Sequence, residues 1–312
     1  MSGADAPDRG PAPEGEPLLF DAWVNLPYAP GEVTPDPDVT RWFKREDSSY
    51  EGGETVDDLV RSMDRHGVAG GVLTKVPRDI TPPFVAGIRG GDDVVHRSCQ
   101  AVAEAVAAHP GRFVGSVGLD PRLGYEAAKH VRVAAEQYGI RIIRILPMFT
   151  GLAIDDALAY PLYTAACDLG ATVTFNVGMP GPMKPARLQR TILVDEVALC
   201  FPSLKIVMSH VGDPWVGETI ALLNKHPNVY LMTAGWAPRY LPAELRTFMG
   251  SRGRDKVMWA SDYPVLPVDR TAREARVLDI RAEALPGYLG ANALRVLGRP
   301  ASWDGPVPPA GT

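Results

Sequence analysis

Leu204-Lys205-Ile206-Val207-Met208-Ser209-His210 and Lys256-Val257-Met258-Trp259-Ala260-Ser261-Asp262 decide the fold. Each stretch is almost continuously apolar and ends on a polar residue. A strand covered on one face alternates apolar with polar, whereas a strand of a parallel sheet buried beneath helices reads as an unbroken apolar run. Runs of this kind recur at 18–25, 70–75, 113–119, 141–147, 171–177 and 228–233, which with 204–210 and 256–262 makes eight predicted strands.

The segments between them carry helical spacing. Val56, Leu59, Val60 and Met63 form one stripe, with Thr55 placed to cap its start and Gly67 to end it. Val94, Val95, Cys99, Val102 and Val106 form another before His109-Pro110-Gly111. Eight βα units in about 280 residues predict a slightly distorted TIM-type (β/α)8 barrel over 17–302 in preference to a doubly wound sheet. The Pro- and Gly-rich ends, 1–16 and 303–312, read as flexible tails. Two long connections, Pro27 to Glu54 and Val76 to Asp92, are expected to shape the barrel mouth.

Composition narrows the partners. The 312 residues are 46% hydrophobic and 22% charged, with a formal net charge of −5, so no basic surface recommends nucleic acid or anionic lipid. No apolar run reaches the roughly 18 residues of a membrane span. Met1 to Pro17 lacks the basic and apolar stretches of a signal peptide. Cys99, Cys167 and Cys200 have neither disulfide-framework nor zinc-knuckle spacing. The expectation is a cytoplasmic protein with a small-molecule substrate.

In a barrel of this type the chemistry sits at the C-terminal ends of the strands. Those positions hold Trp23 and Asn25, Lys75, Asp120, Arg144, Asn176, His210, Thr233 and Asp262, a polar ring on otherwise apolar strands. A lone strand histidine is ordinarily a satisfied core residue, and a carboxylate before a helix is ordinarily a cap. Arg144, set inside Ile142-Ile143-Arg144-Ile145-Leu146, needs an anion or a salt bridge to be tolerated there. Thr233 and Asp120 read as structural.

Over about residues 18–298 the chain resembles the amidohydrolase superfamily, in the branch that includes carboxymuconate-semialdehyde decarboxylase, resorcylate-type decarboxylases and pyrone-dicarboxylate lactonase. The resemblance rests on Phe20-Asp21-Ala22, Arg112-Phe113-Val114-Gly115 with Asp120-Pro121, and Phe201-Pro202-Ser203-Leu204-Lys205-Ile206 running into His210-Val211-Gly212. It continues through Asn228-Val229-Tyr230-Leu231, Ala260-Ser261-Asp262-Tyr263-Pro264 and Asn292-Ala293. It implies a divalent metal held by His-x-His at the end of strand 1 and by a histidine closing strand 5. This chain departs there, with Trp23-Val24-Asn25 and Asn176, and keeps only His210 and Asp262.

The other histidines, His66, His96, His109, His130 and His226, fall at helix ends or within helices. A catalytic zinc needs about three protein ligands and an open position. No metal and no other cofactor is therefore expected, the alternative being a weak, oxygen-rich site at Asp262, His210 and Asn176.

The resemblance implies that Asp262 handles a proton or activates water, with His210 beside it as acid/base partner. Arg144 and Lys75 are expected to bind the substrate's anion, Asn25 and Asn176 to orient a carbonyl, and Trp23 and Tyr263 to wall the pocket, with Trp215, Trp236 and Asp213 nearby. The reading is a metal-independent enzyme acting on a small conjugated or aromatic carbonyl-bearing acid, by lactone or ester hydrolysis or by proton-transfer lyase or cyclase chemistry. A catalytically inactive barrel that binds a metabolite or a protein is the alternative. Members of the branch are commonly dimers, which implies a homodimer.

Overall fold

The eight apolar runs become eight parallel strands in a computed structural model that describes residues 17–27, 55–76, 92–181, 184–301, 303 and 305. They are β1 (Leu19–Asn25), β2 (Val68–Lys75), β3 (Phe113–Gly118), β4 (Ile142–Ile145), β5 (Thr172–Asn176), β6 (Lys205–Ser209), β7 (Val229–Met232) and β8 (Val257–Met258). Each pairs in parallel with the next, in the order β1 to β8. A helix follows every strand: α1 (Val56–Arg65), α2 (Asp92–Ala108), α3 (Tyr125–Arg132), α4 (Tyr160–Asp168), α5 (Val194–Cys200), α6 (Val216–Lys225), α7 (Ala243–Met249) and α8 (Val268–Arg276). This is the (β/α)8 barrel the apolar runs predict. Among the described residues no helix is long and apolar enough to cross a membrane.

Local chemistry sets the helix ends as expected. Thr55 caps α1 in a reciprocal box: its hydroxyl accepts from Asp58 N at 3.2 Å, and the Asp58 carboxylate accepts from Thr55 N at 2.9 Å. Leu59 and Met63 of its stripe are buried, and Gly67 takes the left-handed conformation (φ 64°) just beyond the last turn.

Strand alternation sorts the barrel into two regions. Ile143 and Ile145, Val173 and Phe175, and Ile206 and Met208 face the helices in the outer core. Phe20, Ala22, Val72, Ile142, Val207, Met232 and Met258 fill the interior. Toward the C-terminal ends the inward positions turn polar: Thr74, Ser116, Arg144, Thr174, Asn176 and Ser209 are all buried. Period two thus carries Arg144 into the barrel directly above Ile142.

The closing seam is irregular. The expected strand at 256–262 is regular only at Val257–Met258. Beyond it, 259–263 joins β1 through Ala22 N to Trp259 O (3.0 Å), Asp262 N to Trp23 O (3.0 Å) and Asn25 N to Tyr263 O (2.9 Å). On its other edge β1 is irregular too, its register against β2 shifting between Leu19 and Phe20 and between Asp21 and Val24. The second shift turns Trp23, like Ala22, into the interior.

Trp303, assigned to the C-terminal tail on composition, packs edge-on against Phe20 with ring centroids 5.8 Å apart. A single large ring finds burial where the surrounding Pro/Gly content suggests none. The expected N-terminal tail and most of the connections 27–54 and 76–92 lie outside the described residues.

Candidate active site

The strand ends bring Trp23, Asn25, Arg144, Asn176, His210 and Asp262 together. Asp262 is 6% exposed, and its Oδ1 accepts from Asn25 Nδ2 at 3.0 Å. The same amide donates to the Tyr263 carbonyl at 2.8 Å, while Asn25 Oδ1 accepts from the Trp23 indole N–H at 2.9 Å. Burial pushes the Asp262 carboxyl well above the usual carboxylate range, against the opposing pull of Arg144 and Asn25 and with a further push from Asp21.

Arg144 is 1% exposed, and its guanidinium lies over the Trp23 ring. Its N–H groups donate to Asn176 Oδ1, to Ser209 Oγ at 3.2 Å and to Thr174 Oγ1 at 3.4 Å. Burial works against the cation, and the charge that favours it is Asp262. Guanidinium keeps its proton nonetheless. The charge that favours Arg144 is therefore that of Asp262 when it is ionised, and when Asp262 carries its proton the guanidinium rests on hydrogen bonds to neutral oxygens of β5 and β6.

The expected Asp262–His210 pair is not a direct hydrogen bond, since Oδ2 and Nδ1 stand 3.9 Å apart. His210 Nδ1 instead meets the Ala234 carbonyl at 2.9 Å, and Nε2 meets Asn176 Nδ2 at 2.9 Å. Burial, then the Arg144 charge, push the imidazole down to about 3, so the ring is neutral near pH 7. The ring lies 5.2 Å from that of Trp23, with its side chain 21% exposed.

Backbone conformation contributes to the placement. His210 (φ 69°), Val211 (φ 67°) and Gly212 (φ 82°) are consecutively left-handed, and Asp262 has φ 59°. For residues other than glycine such geometry costs about 1–2 kcal/mol each, and here it falls on both candidate side chains, His210 and Asp262, where they leave their strands. Gly235 (φ 72°) faces the pair: a β-carbon there would lie 3.2 Å from His210 Nδ1 and 3.3 Å from Asp262 Oδ2.

The remaining expected residues sit around this cluster. Lys75 ends β2 half-buried, beside Thr74, which pairs with Asn25. Tyr263 is half-buried next to Asp262 and packs against the outer core, as does Trp236. The Arg190 guanidinium stands 5.7 Å from the Trp215 ring, and the Asp213 carbonyl accepts from Met179 N at 2.7 Å. Thr233 bonds the Tyr288 hydroxyl at 3.0 Å, and Asp120 accepts from Arg122 N and pairs with its guanidinium.

Four contributors escape a reading of strand ends: Thr174, Ser209, Gly235 and the Ala234 carbonyl. The signal for the first two was the inward register shared with Arg144 and Asn176. Gly235 and Ala234 carry none. Asp21 also acts locally, its Oδ1 accepting from Trp23 N (3.1 Å) and Ser261 N (2.9 Å) across the seam.

The residues present do not fit a divalent metal. Indole offers no lone pair, Asn25 Oδ1 is used by Trp23, Asn176 Oδ1 by Arg144, and both His210 nitrogens are engaged. The Arg144 cation next to Asn176 would repel a second cation. Among the described residues no three His, Cys, Asp or Glu side chains gather as a ligand set.

The fold recurs in solved structures. An uncharacterised TIM-barrel protein from Bordetella bronchiseptica is 24% identical with TM-score 0.71, covering 90% of this chain and 98% of that one. The 5-carboxyvanillate decarboxylase of Sphingomonas paucimobilis is 20% identical with TM-score 0.63, covering 90% and 99%. A dihydroxybenzoic acid decarboxylase from Polaromonas sp. JS666, solved with manganese and the inhibitor 2-nitroresorcinol, is 18% identical with TM-score 0.63, covering 90% and 97%. No curated protein matches the sequence. A family model described as amidohydrolase matches residues 35–299, and the chain belongs to the amidohydrolase family.

Proposed function

We propose that this barrel is an enzyme that transfers a proton to a small aromatic or conjugated carboxylic acid, with release of carbon dioxide as the favoured outcome and without a catalytic metal. The observation that carries the reading is the Asp262 carboxyl, buried, raised toward neutrality and placed beside a fixed cation. A carboxyl of this kind holds a proton that an ordinary aspartate has lost at pH 7, and such a proton can be given to carbon. Several proteins sharing the fold are named as decarboxylases of aromatic acids, which agrees with the substrate class.

The steps balance with this chain's residues alone. Asp262 donates its proton to the ring carbon that bears the carboxylate. The carbon–carboxylate bond then breaks, carbon dioxide leaves, and its electron pair restores the aromatic ring. Water returns a proton to Asp262. An electron-rich hydroxylated ring stabilises the protonated intermediate itself, so the step needs no Lewis acid from the protein. Lys75 takes the substrate's carboxylate at the rim, Asn25, its amide engaged by Asp262, Tyr263 and Trp23, holds the Asp262 carboxyl in place, Asn176 keeps its position beneath them, and Trp23 and Tyr263 supply the apolar walls. Arg144, enclosed under Trp23, acts through its field.

The test is carbon dioxide release from hydroxybenzoates such as 2,6-dihydroxybenzoate by chelator-treated protein, beside hydrolysis of aryl lactones. Release that survives chelation and is lost in Asp262→Asn supports the proposal. Complete dependence on added manganese or zinc overturns the metal-free part, and lactone hydrolysis without decarboxylation overturns the reaction class. One observation favours a second reading, an inert barrel that binds without turnover: Trp23 (4% exposed) and Arg144 fill the space beneath the mouth. Saturable binding of the same acids with no product would establish it.

A further inference from the structure

We propose that Arg144 is a positioning residue that fixes the direction of a hydrogen-bond relay through Asn176 to His210 and so holds His210 as the neutral Nδ1–H tautomer. The inference rests on the reading of these residues as one active site. Guanidinium is a donor that cannot accept, having N–H groups and no lone pair. Whatever faces it must present oxygen. Asn176 therefore turns Oδ1 to Arg144, and its Nδ2 is left to face His210 Nε2 at 2.9 Å. Had the amide the opposite orientation, two donors would be buried against each other.

Facing an amide N–H, His210 Nε2 must accept, so it carries no proton. The neutral ring then has its proton on Nδ1, where the Ala234 carbonyl, an acceptor only, lies 2.9 Å away. The two ends thus demand the same tautomer independently. The side branch obeys the same polarity: Ser209 Oγ donates to the Phe175 carbonyl at 3.0 Å and accepts from Arg144 at 3.2 Å. Bonds aligned in one direction within a buried site polarise and reinforce one another. Arg144, Asn176 and Ser209 are buried, and the relay reaches the half-buried His210 at its outer end.

The relay divides labour at the mouth. His210 presents a fixed ring against Trp23 and Gly235, and proton traffic falls to Asp262, whose Oδ2 lies 3.9 Å from the committed Nδ1. The division concerns the ring's tautomer and orientation, which a purely structural arginine would leave free.

Nitrogen-15 spectra of the histidine rings at pH 7 test it, with the His210 signals assigned by their loss in His210→Asn. Wild-type protein is expected to show protonated Nδ1 and unprotonated Nε2. Asn176→Asp replaces the amide by a carboxylate that accepts from both neighbours, so His210 Nε2 is expected to gain a proton while Arg144 keeps its partner. Arg144→Met frees the amide to turn and is expected to give a mixture of tautomers. Should Arg144→Met not fold, the other two spectra suffice. A wild-type ring protonated at Nε2, or an Asn176→Asp ring still unprotonated there, overturns the proposal. The spectra read no turnover, so this inference and the enzyme reading fail separately.

Discussion

His210 Nδ1 and Asp262 Oδ2 stand 3.9 Å apart, yet the imidazole is bound at Nδ1 to the Ala234 carbonyl and at Nε2 to the Asn176 amide. Two groups that a strand-end reading unites as an acid/base pair are separated by their other partners. The carboxyl alone keeps an oxygen with proton affinity near pH 7, and the consequences can be measured.

Removing that carboxyl is the first. Asp262→Asn keeps the size and the hydrogen bond with Asn25, so folding should be retained by circular dichroism. Turnover of a hydroxybenzoate should fall by about 10²–10⁴, the range lost with a general acid. An effect below tenfold would show that another group delivers the proton.

The pH profile follows from the same group. In the proposed reaction the acid form of Asp262 is the active form, and its affinity for a proton is raised by burial. Activity should therefore decline as pH rises through that raised value. His210, pushed down to about 3, should add no second ionisation between pH 5 and 9. Initial rates over that interval check both statements.

Stability should depend on pH through Asp21, which burial pushes up to about 7. Its unfolded value is near 3.9, so between about 4 and 7 the native state holds a proton that the unfolded chain releases. This contribution is fully present below about pH 4 and is lost as pH rises through 7. Asp21→Asn retains an oxygen for Trp23 N and Ser261 N and cannot ionise. The Tm of the variant relative to wild type should rise as pH goes from 4 to 8.

Gly235 is the fourth test. Alanine there must adopt φ 72° and place its β-carbon 3.2 Å from His210 Nδ1 and 3.3 Å from Asp262 Oδ2. Gly235→Ala should lose about 1–2 kcal/mol of stability in denaturant unfolding. It should also lower kcat more than it raises KM, because the displaced groups are those that act on the bound substrate.

Trp23→Ala removes a buried ring from beneath the mouth and should cost about 3–5 kcal/mol. Trp23→Phe retains a face for Arg144 and should lie much nearer wild type. Equal losses in the two variants would mean that the indole N–H bond to Asn25, and not the stacked face, holds the cluster together.

The barrel was legible because parallel strands buried on both faces write themselves as apolar runs, and because Thr55 and Gly67 mark the ends of α1 as local chemistry requires. The clustering of Trp23, Asn25, Arg144, Asn176, His210 and Asp262 followed once each was placed at a strand end. What escaped was direction. Nothing in Ile142-Ile143-Arg144-Ile145 says that the guanidinium turns under Trp23 instead of up to a substrate, because that depends on hydroxyls supplied by β5 and β6. Nor does a sequence disclose that a backbone carbonyl, Ala234, claims the histidine. The short β8 was likewise hidden, because 259–263 pairs with β1, far away along the chain.

That seam has a consequence for how the molecule breathes. The ladders from β2 through β7 run in unbroken register, whereas 259–263 meets β1 through three separate backbone bonds, and Trp23, Asn25 and Asp262 stand on the two sides of the joint. Cylinder closure and assembly of the candidate site are thus one event. A molecule bridging Asn25 and Asp262 would rivet the joint, and the amides of 259–263 should be the ones whose hydrogen exchange slows most when it binds.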